Sequence, residues 1–297
     1  MMPESGPRIA PEWAKREDTH AATERYADAL FEPNLDELDA HYGYRTRFRM
    51  FRTLPRTIET ECFPATLVAA ARRGWTEAAF NEASTLLAFE SLATALQAVD
   101  APVIFVRQVR HFCVEEALHV ELCVRVAKAF GGLTARGSAV PEWVVAAPDL
   151  SPPLLHALTL AVRICCVGEA FSLPMLTAVR SASTAVPLVR AVLDQIVRDE
   201  ARHGTLGFEL LDWAAARIGD DERAALGRVA SSTLRGFAPL WQSLRSEEHD
   251  GITTEGYRVE DVRAVGFLES SLYRQNAVLA VQREVVEPLA ARGIVMP

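Results

Sequence analysis

The sequence predicts an all-α protein whose long helices pack into one bundle. No run of alternating β-branched residues bounded by turns is present, so strand signals are weak throughout the chain. Apolar residues instead recur at helical spacing in several long segments, which glycine and proline residues separate. Hydrophobic residues make up 49% of the 297 residues, which is enough to bury a sizeable core.

The chain divides into a polar beginning and a long helical remainder. Residues 1–40 are punctuated by proline and have no sustained period, so we expect a polar N-terminal arm. Residues 41–297 are predicted to form a single helical domain. Its helices are expected at about residues 56–72, 76–99, 101–130, 152–179, 186–218, 220–245 and 259–291.

Glycine, proline and threonine residues set most of these boundaries. Gly74 fits the stop of the first helix, and Thr76 is a candidate N-cap for the second. Pro102 suits the first turn of the third helix, whereas Pro174 is expected to kink or end the fourth. Residues 131–152, rich in glycine, proline and alanine, are predicted to cross over between two helical hairpins.

Composition excludes several classes of function. A net charge of -8 gives no electrostatic reason to bind nucleic acid. The N-terminus has no apolar run that indicates a secretory signal, and no uncharged apolar stretch of about 18 residues indicates a membrane span, so we expect a cytoplasmic location. The five cysteines contain no Cys-x-x-Cys pair and are predicted to be free thiols.

Two Glu-x-x-His motifs are the strongest chemical signal. They consist of Glu116 with His119 and of Glu200 with His203, and residues three apart share one helix face. With 26 glutamates and 7 histidines in 297 residues, chance alone gives roughly 0.6 such pairs. A third match, Glu17 with His20, lies in the polar arm and is interpreted as a coincidence.

The context of the two motifs points to a metal site. One helix before each motif, a glutamate interrupts an otherwise apolar stretch: Glu82 comes 34 residues before Glu116, and Glu169 comes 31 residues before Glu200. These separations are close to one helix, a turn and a return, so antiparallel neighbours would bring the groups level. Buried carboxylates need compensating positive charge, which two divalent cations would supply.

This pattern resembles the ferritin-like di-iron carboxylate family over about residues 76–218. The resemblance implies a ferritin-like four-helix bundle with additional N- and C-terminal helices and two iron ions. One ion would bind Glu82, Glu116 and His119, and the other Glu169, Glu200 and His203. Glu116 and Glu200 are implied to bridge the ions as catalytic residues, and Glu115 and Asp199 to accept the far N–H of His203 and His119.

Some assignments stay open at this point. Glu90 lies two turns beyond Glu82 and is an alternative ligand if the register differs. Apolar residues on the expected metal-facing stripe are candidates for a substrate pocket, although they would be core residues in any bundle. They are Leu86, Phe89, Phe112, Phe171 and Leu206.

The favoured function is an O2-dependent oxidase or oxygenase that hydroxylates, N-oxygenates or desaturates a small organic substrate. The run Asp-Glu-Ala-Arg-His at residues 199–203 is similar to that of arylamine N-oxygenases, but Ile196 stands where those enzymes have a further histidine. Ribonucleotide-reductase-like oxidases are a second neighbour, and some use manganese with iron. Electrons would come from a separate reductase, and a homodimer is a candidate assembly.

Two alternatives belong to other classes. A ferroxidase, peroxidase or iron-storage protein would form homogeneous oligomers and load with iron. A non-catalytic helical protein that retains only the bundle would purify without metal even from iron-supplied medium.

Overall fold

The computed structural model describes residues 33–47, 54–134, 152–182, 185–242, 244 and 248–297. Most of the predicted arm, the Glu17–His20 pair and most of the predicted crossover lie outside these residues. Within them, the all-α class is confirmed. The helices are α1 Leu35–Tyr42, α2 Tyr44–Arg47, α3 Ala65–Ala98, α4 Val103–Ala129, α5 Pro153–Ala161, α6 Ala170–Ala182, α7 Pro187–Ala214, α8 Asp220–Phe237, α9 Pro239–Gln242, α10 Val259–Ala264, α11 Ser270–Ala280 and α12 Glu287–Ala290.

The described residues also contain two π-helical segments, two 3₁₀ turns and a small hairpin. A π-helical segment, Val162–Glu169, joins α5 to α6, and a second one, Val281–Val286, joins α11 to α12. Single 3₁₀ turns cover Thr60–Cys62 and Ala215–Arg217. The antiparallel strands β1 (Glu248–His249) and β2 (Ile252–Thr253) form a hairpin between α9 and α10.

Four helical rods pack side by side around the main core. α3 and α4 form one hairpin, and the continuous rod α5–π–α6 forms the other with α7. α4 also packs against α7, and α3 packs against α5, so the four rods close into a ring. α8 and α11 cover the outside of the second hairpin, whereas α1 and α2 lie against α4.

The first long helix corrects the sequence prediction. α3 runs without interruption through Gly74, where we expected a stop, and the hydroxyl of Thr76 donates to the carbonyl of Arg72 rather than capping a helix. Gly74 serves close packing instead. A Cβ atom there would lie 2.5 Å from the ring of Phe267, so only a hydrogen atom fits between α3 and the C-terminal region.

The predicted C-terminal helix is also broken. The segment between α10 and α11 contains Gly266 at a φ of 97°, a conformation that favours glycine. A Cβ atom at Gly266 would lie 2.7 Å from the indole of Trp75, whose Nε1–H donates to the carbonyl of Val265 at 2.9 Å. The break therefore lets the C-terminal region pack directly on α3.

One helical rod is long and apolar enough to cross a membrane, judged by length and composition alone. The sequence analysis did not predict such a segment. It spans Pro153–Ala182, and 67% of its most apolar window is buried inside the protein. This burial is what the central helix of a bundle requires. Pro174 lies within α6, whereas the irregular backbone occurs earlier, at Val162–Glu169.

Candidate metal centre

Four rods each contribute carboxylates or imidazoles to one buried cluster. Glu116 and His119 lie on the inner face of α4, and Glu200 and His203 lie on the inner face of α7. Glu82 projects from the middle of α3. Glu169 is the last residue of the π-helical segment Val162–Glu169.

The cluster consists of two overlapping groups of possible ligands. The first contains Glu82, Glu116, His119 and Glu200, and the second contains Glu116, Glu169, Glu200 and His203. In each group the ligand atoms all lie within 4.8 Å of one another. Glu116 and Glu200 belong to both groups, so the arrangement has the form of two sites that share two carboxylates. The structure thus brings together all six residues that the sequence singled out as metal ligands.

The Nδ1 atoms of both imidazoles point into the cluster. Nδ1 of His203 lies 3.0 Å from Glu116 Oε1 and 2.9 Å from Glu200 Oε2. Nδ1 of His119 lies 3.3 Å from Glu200 Oε1 and 3.6 Å from Glu82 Oε2. These atoms therefore face the carboxylate oxygens at the separations that ligands of one ion show.

Hydrogen bonding does not account for these contacts. Among the described residues, seven buried side-chain nitrogen or oxygen atoms make no hydrogen bond, and five of them belong to this cluster. They are both carboxylate oxygens of Glu116, Oε2 of Glu200 and the Nδ1 atoms of His119 and His203. Buried polar atoms without partners are costly, so their concentration here fits a role as ligands. The cluster could hold a metal ion.

The electrostatics of the cluster point the same way. Burial and the nearby charge of Glu200 raise the pKa of Glu116 well above its ordinary value, and the same two causes raise the pKa of Glu169. Burial alone would also raise the pKa of Glu200, but the imidazoles of His203 and His119 lower it overall. Without cations, four carboxylates in one buried space cannot all ionise, which two divalent ions would permit.

Burial opposes the charged form of both imidazoles, yet nearby carboxylates raise their pKa values. The pKa of His119 rises because of its contacts with Asp199, Glu200 and Glu82. The pKa of His203 rises mainly because of the charge of Glu200 and contacts with Glu115 and Glu116. The carboxylates of the cluster therefore favour positive charge at both rings.

The two acidic residues expected to orient the histidines each contact the imidazole nitrogen that faces away from the cluster. Nε2 of His119 is 3.1 Å from Asp199 Oδ2, and Nε2 of His203 is 3.1 Å from Glu115 Oε2. Each contact crosses between α4 and α7. With Nε2 held from outside, Nδ1 of each ring is directed into the cluster, which is the usual role of such carboxylates beside metal-binding histidines.

The five pocket candidates are all buried but do not share one space. Phe89 and Phe112 border His203, with ring centroids 5.4 Å and 4.2 Å from the imidazole. Phe171 instead packs against Phe237 in a second apolar cluster under α8. Leu86 and Leu206 belong to the main core. The substrate-pocket role of these residues stays a prediction.

Glu90, the alternative ligand, is engaged elsewhere. Its Oε1 atom accepts a hydrogen bond from the hydroxyl of Tyr42 at 2.5 Å, which attaches α1 to α3. Glu90 is in neither ligand group. The register with Glu82 toward the cluster is therefore the one that the structure adopts.

The cysteines are free thiols, as predicted, with Cys62 exposed and the other four buried. Burial raises the pKa of Cys123 and of Cys165, and the carboxylates of the cluster raise both further. These two thiols therefore stay protonated beside the cluster. None of the four buried cysteines belongs to a ligand group.

Sequence reasoning missed a third buried carboxylate on α4. Glu121 is 1% exposed and accepts hydrogen bonds from the hydroxyl of Tyr44 at 2.8 Å and from Nε of Arg45 at 2.6 Å. Nε of Arg125 donates to its other oxygen at 2.9 Å. The available signal was a glutamate between two apolar neighbours, Val120 and Leu122.

A small cleft of about 50 Å³ lies between α1 and the helices α3 and α4. Its floor is apolar and includes Ala83 and Val120, which directly follow Glu82 and His119 in the chain. The side chain of Glu82 is 17% exposed, whereas those of Glu116 and Glu200 are 0% and 3% exposed. Glu82 is therefore more open to solvent than the two shared carboxylates.

The chain was compared with protein-family models, with curated proteins and with solved structures. None of them matches it.

Proposed function

We propose that the chain is a ferritin-like four-helix bundle that binds two iron ions and uses O2 to oxidise a small organic substrate. The single observation that carries this proposal is the pair of overlapping ligand groups that share Glu116 and Glu200. Glu82 and His119 would complete the position next to α3, and Glu169 and His203 the position next to the π-helical segment.

The donor set is one that iron, or a mixture of manganese and iron, can use. It combines four carboxylates with two imidazoles and contains no thiolate. Carboxylates suit manganese, imidazoles suit iron, and softer metals are generally selected by sulfur ligands. Four ionised carboxylates also balance the charge of two divalent cations.

When bound in the ferrous state, two iron ions would supply two electrons for the reduction of O2. For a hydroxylation, the overall balance is R–H + O2 + 2 e⁻ + 2 H⁺ giving R–OH + H2O, where the electrons come from an external donor protein. N-oxygenation follows the same balance at an amine nitrogen. Desaturation would take two electrons and two protons from the substrate, in addition to the two electrons from the donor and two further protons, and would release two molecules of water.

The residues of this chain have distinct roles in the proposed reaction. Glu115 and Asp199 hold the two imidazoles in one orientation through their Nε2 atoms. Phe89 and Phe112 keep water away from His203. The more open side of the cluster, at Glu82, is the side from which we expect the substrate to approach.

Elemental analysis and controlled O2 exposure test the proposal. The purified chain, reconstituted anaerobically with ferrous iron, should bind about two iron ions per chain. Admission of O2 should then change its optical spectrum. Glu116→Ala should abolish stoichiometric iron binding and leave the helical circular dichroism unchanged, because Glu116 would contact both ions.

Glu77→Ala is the matched control, since it removes an exposed glutamate from α3. It should bind as much iron as the wild type. Equal iron contents in Glu116→Ala and Glu77→Ala would refute the proposed site. Iron loading far above about two ions per chain, with the excess oxidised and retained, would instead identify a storage protein.

A further inference from the structure

Behind His203, a cation holds the carboxylate that orients the imidazole. Nε2 of His203 lies 3.1 Å from Glu115 Oε2, and Nη2 of Arg202 donates to the other oxygen of Glu115 at 2.7 Å. Nε2 of His111 lies 3.2 Å from that second oxygen. Glu115 is 2% exposed, so its charge is compensated by these partners more than by water. A carboxylate that a cation partly neutralises attracts an imidazole N–H less strongly.

Behind His119, a neutral amide holds the corresponding carboxylate. Nε2 of His119 lies 3.1 Å from Asp199 Oδ2, and Nε2 of Gln195 donates to the same oxygen at 2.7 Å. Nη1 of Arg198 donates to Oε1 of Gln195 at 2.7 Å, which leaves the NH2 group of Gln195 to face Asp199. In this chain of contacts, the arginine is therefore separated from the carboxylate by an uncharged group.

This difference affects the two imidazoles as ligands. A carboxylate that accepts the far N–H of a metal-binding histidine fixes the ring and raises its basicity, and loss of such a partner typically lowers metal affinity by about 10- to 100-fold. The amide of Gln195 fixes Asp199 without cancelling its charge, whereas the guanidinium of Arg202 fixes Glu115 and offsets part of its charge. Nδ1 of His119 is therefore the stronger donor to a cation.

The two outer residues also differ in how strongly water screens them. Gln195 is 7% exposed, whereas the side chain of Arg202 is 60% exposed. Because the charge of an exposed side chain is largely screened, Arg202 reduces the pull of Glu115 but does not abolish it. We therefore expect a large effect from removing the amide of Gln195 and a small effect, of opposite sign, from removing the charge of Arg202.

We propose that Gln195 and Arg202 are positioning residues that tune the two proposed metal positions separately. This inference rests on the proposed function, since both positions must bind metal. Gln195 strengthens the position next to α3, which contains His119. Arg202 weakens the position next to the π-helical segment, which contains His203. The two positions thus differ in how strongly their imidazoles bind, although each combines one imidazole with carboxylates.

Two variants with one metal position each allow the effects to be measured apart. Glu169→Ala leaves the ligands of the position next to α3, and Glu82→Ala leaves those of the position next to the π-helical segment. The probe is manganous ion, titrated into the full chain after chelator treatment. Electron paramagnetic resonance of the free ion gives the dissociation constant and requires no turnover of substrate.

The larger effect is expected from Gln195→Leu. In the Glu169→Ala background it should raise the dissociation constant by about tenfold or more, because Asp199 loses the donor that orients it. In the Glu82→Ala background it should change the dissociation constant by less than about twofold. Gln195→Met, which keeps the length of the side chain without its hydrogen-bonding groups, should behave in the same way and replaces Gln195→Leu if that variant does not fold.

The smaller effect is expected from Arg202→Gln. In the Glu82→Ala background it should lower the dissociation constant by about two- to fivefold, because Glu115 then acts on His203 with its full charge. His111 still contacts Glu115 in this variant. General damage to the site would raise the dissociation constant, so the sign of the change separates tuning from damage. Since Arg202 is exposed, this variant decides the proposal by itself if neither change at Gln195 gives a folded protein.

Arg228→Gln is the matched control, because it removes an exposed positive charge from α8, which contributes no ligand. It should leave the dissociation constant unchanged within error in both backgrounds. The proposal is refuted if Arg202→Gln weakens binding or acts like Arg228→Gln. It is also refuted if the folded variants of Gln195 act equally in both backgrounds, or if either background binds no ion, since the positions then cannot be tuned separately.

The outcomes separate this inference from the proposed function. If the wild-type chain takes up neither manganese nor iron in stoichiometric amounts, the proposed function fails and the tuning fails with it. If the wild-type chain binds about two ions but the effects of Gln195→Leu and Arg202→Gln do not follow the position, the tuning alone is refuted.

Discussion

The two halves of the metal cluster present the same kinds of ligand on different backbones. In the first half, Glu82 projects from a regular α-helix of 34 residues. In the second half, Glu169 ends a π-helical segment of eight residues inside a longer rod. A π-helical turn holds more residues than an α-helical turn, so it shifts the helix face on which later residues lie. Similar ligand positions therefore do not require similar helices.

The halves also differ in how tightly they are enclosed. Glu82 is partly exposed, whereas Glu169 is buried and the apolar cluster under α8 covers its helix. Gly204 and Gly207 of α7 allow a close approach to the helix that carries Glu169. We infer that the first half is the open side of the centre and the second half the rigid side.

The largest expected effect comes from two separate variants, each of which removes a ligand that belongs to only one half. Glu82→Ala and Glu169→Ala should each reduce bound iron from about two ions per chain to about one, because the shared carboxylates remain. Glu169→Ala should also stabilise the metal-free protein, since it removes a buried carboxylate, whereas Glu82→Ala should not. Elemental analysis and thermal unfolding with and without chelator measure both effects. Loss of both ions in either variant would show that the halves are not separable.

An intermediate effect is expected from filling the close contact in the second half. A Cβ atom at Gly207 would lie 2.6 Å from both the Cβ atom of Cys165 and the sulfur of Cys166. Gly207→Ala should therefore reduce the free energy of unfolding by about 1–3 kcal/mol, the usual cost of overpacking. Denaturant unfolding at constant pH measures this change.

Gly236→Ala is the control for that measurement. Gly236 lies in α8, and nothing lies within 4 Å of a Cβ atom built there. The substitution should stabilise the protein by about 0.5 kcal/mol, because alanine favours helix more than glycine does. If both variants shifted stability in the same direction, the close contact between α7 and the π-helical segment would be of no energetic importance.

The smallest expected effect is a pH dependence of the metal-free protein. The pKa values of Glu116 and Glu169 are raised above 4.5, and those of His119 and His203 above 6.5. For all four groups, the folded state binds protons more tightly than the unfolded state, so each favours folding less as pH rises. Glu200, whose pKa is lowered, contributes only to a loss of stability below pH 4.5.

The melting temperature of the metal-free protein should therefore fall between about pH 5 and about pH 8. With bound manganous ion, which is stable in air, the melting temperature should instead rise over the same pH range. As pH rises, protons compete less with the metal for the ligands. Calorimetry with chelator and with manganese gives the two curves. Parallel curves would contradict the assigned ligands.

The spacing of the motifs was sufficient to predict the cluster, because helical geometry determines which residues share a face. Glu116 and His119, three residues apart, must share a face of α4, and the spacing from Glu82 fits one antiparallel hairpin. The helix boundaries were harder to predict. Gly74 was interpreted as a stop, since the sequence does not show that Phe267, far along the chain, requires a residue without a side chain.

Other features depend on tertiary contacts or on backbone detail that no residue pattern reveals. The π-helical segment before Glu169 has the same apolar composition as a regular helix. Arg198 and Arg202, for example, look like ordinary surface arginines in the sequence. Only the packing of α4 against α7 connects them, through Asp199 and Glu115, to the buried imidazoles.

The Glu121 contacts limit how far the chain can be shortened. Glu121 lies two residues beyond His119, on the opposite side of α4, and Tyr44 and Arg45 supply two of its hydrogen bonds. A fragment that starts at α3 would keep every proposed ligand but would lose the hydrogen bonds that Tyr44 and Arg45 donate to this carboxylate. A hydrogen bond to a charged group contributes about 1.5–3 kcal/mol, so the loss would destabilise the helix that carries Glu116 and His119. The shortest stable fragment must therefore include α1 and α2, although neither contributes a ligand.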